Sequence, residues 1–236
     1  MVIAINLMHM YIGLPMLLYL SVQGMISAKK NRNQITAYMT YTAISMSVAL
    51  LLYLSVPTFL ITGRLAGWLV FVGDFFQFLA LFWVWVVVIR IFLARQLILR
   101  KISYASIGIL FGACTVVSWF ANTNYATAAL LKDGIWILDF AYPPLYAFVV
   151  ALNFASLLLL GMYFLRESHK ATVNFQRWRL RAFASCFIVI GGIFVTQPFF
   201  SFTFQSSSVS YLLAGGFVLL GLFSGLAFFK QAKKLV

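Results

Sequence analysis

Acidic residues are nearly missing from this chain: Asp74, Asp133, Asp139 and Glu167 are the only four in 236 residues. That is too few to set a carboxylate pair for acid–base work on the inner side defined below. Cysteine and histidine are equally scarce, with two of each. Cys114 and Cys186 fall inside predicted helices at different depths, so no disulfide is expected, and neither has metal-ligand spacing. His9 and His169 lie near opposite membrane faces, which argues against bis-histidine haem ligation. No Ser-His-Asp or Cys-His constellation and no phosphate loop is present. The last apolar run contains no lysine, which removes a retinal Schiff base there. The expectation is a chain that is not an enzyme, with no cofactor and no metal. A basic leader region and a small-residue cleavage pattern are missing before Lys29, so the first apolar segment reads as a retained span.

Apolar residues fill the space that charge leaves. The chain is 64% hydrophobic and 9% charged, with a mean hydropathy of +1.00. Soluble domains carry about 25% charged residues, so this composition belongs to an integral membrane protein. Seven apolar runs predict an all-α bundle of seven transmembrane helices as a single domain over residues 1–236, with spans near 4–27, 35–61, 65–93, 102–121, 135–165, 182–204 and 209–229.

The net charge of +13 resembles a nucleic-acid signature until the charges are placed. Lys29, Lys30 and Arg32 follow the first span; Arg90, Arg95, Arg100 and Lys101 follow the third. Arg166, Lys170, Arg177, Arg179 and Arg181 form the connection after the fifth, read as one long basic loop from Arg166 to Arg181. Lys230, Lys233 and Lys234 follow the seventh. Of the 17 basic residues only Arg64 and Lys132 fall opposite. The positive-inside rule then puts the N-terminus outside and the C-terminus in the cytoplasm, with no nucleic-acid partner. A bacterial cytoplasmic membrane is the expected location.

The third span holds the acidic side chain placed deepest in the bilayer. From Leu65 to Ile89 its single charge is Asp74, with Gln77 one turn on. Asp74 lies about nine residues, or ~13 Å, from one end. A carboxylate there costs several kcal/mol unless it is paired, hydrogen-bonded or wet, so it should face protein. One reading is a pin between helices; the other is a ligand, ion or proton site. In the fifth span Asp139, Tyr142, Tyr146 and Asn153 recur at spacings of three, four and seven, which would place them on one helical stripe. Gln197 of the sixth span reaches a comparable level. Asp74, Gln77, Asp139, Tyr142, Tyr146 and Gln197 are therefore the candidate ligand-binding residues of an outward pocket. Their alternative role is plain interhelical hydrogen bonding.

Two features suggest contacts with other molecules. Arg166, Lys170, Arg177, Arg179 and Arg181 can meet anionic membrane lipids or a partner protein, or simply set topology. Gly221 and Gly225, spaced as Gly-x-x-x-Gly, allow close helix approach within the bundle or in a homodimer.

The segment Phe140–Val195, which contains Tyr146, Gln176, Arg177, Arg179 and Gly191-Gly192, resembles the seven-helix sensor region of bacterial histidine kinases. The resemblance implies seven spans with an outside N-terminus. That family continues into cytoplasmic signalling domains, whereas this chain ends at Val236, so output would pass through a separate membrane protein or larger complex. The expected function is thus a non-catalytic, sensor-like membrane protein relaying an outer-side ligand or membrane state. The rivals are a structural subunit of a membrane complex and a small-solute or ion transporter using Asp74.

Overall fold

The apolar runs fold as helices because a segment surrounded by hydrocarbon must satisfy every backbone N–H and C=O within itself. The computed structural model of the chain describes residues 8–31, 34–124, 128–132, 135–139 and 144–200. In order these form α1 (Met8–Asn31), α2 (Gln34–Thr58), α3 (Gly63–Phe92), α4 (Leu97–Asn124), β1 (Ala128–Lys132), β2 (Ile135–Asp139), α5 (Pro144–Lys170) and α6 (Asn174–Phe200). Five helical segments, within α1 to α5, are long and apolar enough to cross a membrane. The expected seventh span, with Gly221 and Gly225, lies outside the described residues.

Two boundaries differ from the sequence reading. Residues 135–139 do not begin the fifth helix. They form β2, paired antiparallel with β1 so that Ala128 faces Asp139 and Lys132 faces Ile135. A helix rising from Ile135 would have held Pro143-Pro144 in its interior, where proline removes a hydrogen bond and clashes with the preceding turn. The helix starts at Pro144 instead, at the first position, where the missing N–H costs nothing. The second difference is the basic segment Arg166–Arg181. Only residues 171–173 leave helical geometry; α5 carries Arg166 and Lys170, and α6 opens with Arg177, Arg179 and Arg181. Arg177 holds that tight turn by donating to the Ala171 carbonyl oxygen at 2.9 and 3.3 Å.

The turn from α2 to α3 is equally tight. Ile61 N–H donates to the Val56 carbonyl at 2.9 Å and Leu60 N–H to the Pro57 carbonyl at 3.3 Å. This is a Schellman closure with Leu60 in the left-handed region, φ 53°. Ile61 packs on the apolar cluster that contains Val56, as such closures favour.

Neighbouring helices pack in sequence order, α1 on α2, α2 on α3, α3 on α4 and α5 on α6, while α5 also closes on α3 and α4. The largest core lies among α3, α4 and α5, around Phe78, Leu81, Val84, Cys114, Phe154 and Leu160. A second joins α1, α2 and α3 around Leu50, Tyr53, Val56 and Val70. Small residues set the spacing between α5 and α6: a Cβ on Gly161 would sit 2.7 Å from an Ile188 side-chain carbon, and one on Gly191 3.0 Å from Leu158. The basic connections α1–α2, α3–α4 and α5–α6 mark one end of the bundle. There Arg90 donates to Gln34 Oε1 and its guanidinium lies 5.0 Å from the Tyr38 ring centre. The hairpin lies toward the other end, β1 against α3 and β2 against α2.

Candidate functional site

α3 is the helix from which the site is built. Its buried positions Gly67, Val70, Asp74, Phe78, Leu81, Val84 and Val88 follow helical spacing, so one stripe faces protein along most of its length. Asp74 sits on that stripe and is 3% exposed. At 30 residues the helix is ~45 Å long, and Asp74 lies ~16 Å from its start. The Asp74 side chain points into the bundle, as the cost of a carboxyl group in hydrocarbon requires.

Two glycines bring the neighbouring helices within reach. A Cβ on Gly73 would meet the Tyr53 ring of α2 at 2.6, 2.9 and 3.2 Å, so the ring lies flat against α3 only because position 73 has no side chain. A Cβ on Gly67 would run into the backbone carbonyl oxygen of Asn122 on α4. These approaches place three donors on one carboxylate. Tyr53 Oη donates to Asp74 Oδ1 at 2.5 Å, Ser118 Oγ to Oδ2 at 2.6 Å and Asn122 Nδ2 to Oδ2 at 2.8 Å. Asn122 Nδ2 also reaches the Ser118 carbonyl at 3.1 Å, which fixes its rotamer.

Gln77 enters the same network, its amide 3.0 Å from the Tyr53 hydroxyl. One phenol hydrogen cannot serve both Asp74 and a Gln77 carbonyl oxygen. With the Gln77 amide turned, its NH₂ donates to the phenol oxygen and Tyr53 keeps its hydrogen for Asp74. All three groups are then satisfied, as buried polar atoms must be. Asp74 is thus the shared acceptor for side-chain donors of α2 and α4. Among the described residues no group of three or more His, Cys, Asp or Glu side chains comes together.

The α4 stripe continues the polar track one turn further. Cys114, Ser118 and Asn122 recur every four residues and all are buried. Asn153 of α5 donates to Cys114 Sγ and to the Val149 carbonyl at 3.2 Å. Ser156 bonds the Asn153 carbonyl at 2.8 Å. Buried polar groups thus run from α2 through α3 and α4 to α5.

Of the residues expected in an outward pocket, the structure brings Asp74 and Gln77 together. Asp139 belongs to β2 and not to the α5 stripe, because the chain there is extended. Its side chain, and those of Tyr146 in α5 and Gln197 in α6, lie outside the described residues, as does the whole of Tyr142. Sequence reasoning missed Tyr53, Ser118 and Asn122. Asn122 lies just beyond the predicted fourth span of 102–121, yet α4 runs to Asn124 and keeps it in register. The Cys114-Ser118-Asn122 spacing was the available signal; nothing about Tyr53 distinguished it from an apolar position.

The basic residues serve different ends. Lys170 pairs with Glu167 at 2.6 Å on the surface, a contact worth little. Arg177 is occupied by the α5–α6 turn. Arg166 and Arg181 are exposed, and the Arg179 side chain lies outside the described residues. Cys114 and Cys186 are free thiols, both buried. Compared with known proteins, the chain matches no family model and no curated protein.

Proposed function

We propose that this chain is a non-catalytic polytopic membrane protein of sensor type. In this reading it has seven spans and an outside N-terminus, and it relays an outer-side ligand or membrane state to a partner protein. One observation carries the reading: Asp74, buried in a membrane-spanning helix, is the common acceptor for donors on α2 and α4. A change in its charge or hydrogen bonding alters two helix–helix contacts at once. That is how a local event becomes a helix displacement. The resemblance to histidine-kinase sensor regions points the same way, with output through a separate chain.

A structural subunit of a larger complex is the second reading. It is favoured by the fact that each described donor around Asp74 already has an acceptor, which suits a helix pin. Transport ranks third. The buried hydroxyls of Thr40 and Ser47 on α2 bond their own helix carbonyls at 2.8 Å and do not extend a polar path toward the basic end.

The deciding experiment is purification of wild type and Asp74→Asn in mild detergent, with identification of the chains that accompany each. A sensor keeps its fold in Asp74→Asn but changes its association with the partner. An unchanged partner set with a less stable protein moves the assignment to a structural subunit. A fully active, strictly monomeric protein overturns both.

A further inference from the structure

At the basic end, α3, α4 and α5 diverge around a groove of about 330 Å³. Trp85, Phe92 and Leu93 line it from α3 and the turn that follows, Ser103 and Ser106 from α4, and Leu159 from α5. The surface is mostly apolar, in a part of the chain built to lie in a membrane.

Positive charge rims this groove by helical register. On α4, Arg100 stands three residues before Ser103 and seven before Ile107, on the face that lines the groove. On α5, Tyr163 and Arg166 follow Leu159 at four and seven residues, and the Tyr163 ring meets Phe92 edge-on at 5.9 Å. Arg95 lies two residues beyond Leu93 and is exposed. Among the described residues the ion pair formed is Lys170 with Glu167, so Arg100 and Arg166 carry unneutralised charge.

An apolar groove with a cationic rim is complementary to a molecule with a long hydrocarbon chain and an anionic headgroup.

We propose that this groove holds one acyl chain of an anionic phospholipid from the adjoining leaflet, with its phosphate between Arg100 and Arg166. A zwitterionic lipid offers the same chain but brings its own cation to the arginine rim. A soluble anion satisfies the rim and leaves the groove unfilled. The site is separate from the Asp74 network and does not depend on the sensor reading.

Native mass spectrometry of the detergent-purified protein tests it, using phosphatidylglycerol and phosphatidylcholine with identical chains. Wild type should retain one phosphatidylglycerol in preference to phosphatidylcholine. Arg100→Gln and Arg166→Gln should each weaken phosphatidylglycerol about fivefold, the effect of one basic residue near a membrane surface, and leave phosphatidylcholine unchanged. Ser106→Phe, at an exposed position on the wall, should displace the chain and lower retention of both lipids. Ser103→Leu is a smaller intrusion with the same expected direction, should Ser106→Phe fold poorly. Equal retention of the two lipids by wild type overturns the proposal. So does a preference that survives both arginine substitutions but disappears in Arg181→Gln, which would move the lipid to the α5–α6 turn.

Discussion

Replacing Asp74 with leucine removes one acceptor that three donors share. The stability lost can be worked from the contacts. The bonds from Tyr53 at 2.5 Å, Ser118 at 2.6 Å and Asn122 at 2.8 Å all cross between helices. Interhelical hydrogen bonds in membrane proteins average about 0.6 kcal/mol, so three account for about 2 kcal/mol. The donors are not left stranded: with the Gln77 amide turned back, Tyr53 can donate to its Oε1, Asn122 retains the Ser118 carbonyl, and the Ser118 hydroxyl can turn to a carbonyl of its own helix. The larger penalty for orphaned buried groups therefore does not apply. Asp74→Asn keeps the shape and an acceptor oxygen, and the two hydroxyls can turn to accept from its NH₂, so its cost should stay below about 1 kcal/mol. Equilibrium unfolding in mixed micelles, driven by sodium dodecyl sulfate and followed by circular dichroism, measures both. A double-mutant cycle with Tyr53→Phe isolates one bond: the double variant should be less destabilised than the sum of the singles by about 0.6 kcal/mol. An Asp74→Leu protein as stable as wild type, or a cycle with no coupling, would refute the assignment of Asp74 as the junction of α2, α3 and α4.

The remaining expectations concern spacing, backbone and orientation. Gly67→Ala should cost about 3 kcal/mol, the upper range for overpacking, because the obstacle is the Asn122 backbone; Gly73→Ala should cost less, since the Tyr53 ring can move at the expense of its bond to Asp74. The same unfolding assay ranks the two, and the reverse order would refute the close-approach argument. Leu60→Gly should stabilise the protein by about 1 kcal/mol, because it relieves a left-handed leucine that is 44% exposed and so surrenders little packing. For orientation, a cysteine at exposed Thr172 should resist an impermeant thiol reagent in intact cells while one at exposed Thr62 reacts; both native cysteines are buried and should stay silent. The opposite labelling pattern would reverse the proposed topology.

Most of the helical layout was legible in the sequence, because the cost of burying backbone in hydrocarbon depends on local composition. The first four predicted spans overlap α1 to α4, with the largest shift at α4, which starts five residues earlier and ends three later than 102–121. The inward orientation of Asp74 was legible too, since a lone carboxylate among apolar residues has few tolerable places. Pro143-Pro144 stands in the sequence as a helix breaker within the predicted fifth span, but it does not show that the residues before it pair as a hairpin. Strand pairing depends on a partner segment, and a short apolar run such as IWIL suits a helix equally well.

The partners of Asp74 were decided by the tertiary structure alone. Which faces of α2 and α4 meet α3 depends on the rotation of each helix about its axis, set here by the absence of a side chain at Gly73 on the α2 side and at Gly67 on the α4 side. Tyr53 becomes a donor to Asp74 because its ring fits against one of these bare positions. Asn122 joins because α4 extends past the predicted end of its span, and Ser118, inside that span, lies one turn before it on the same face. Hydropathy records how deep a residue lies and says little about its neighbour across a helix interface; lateral packing supplies that neighbour.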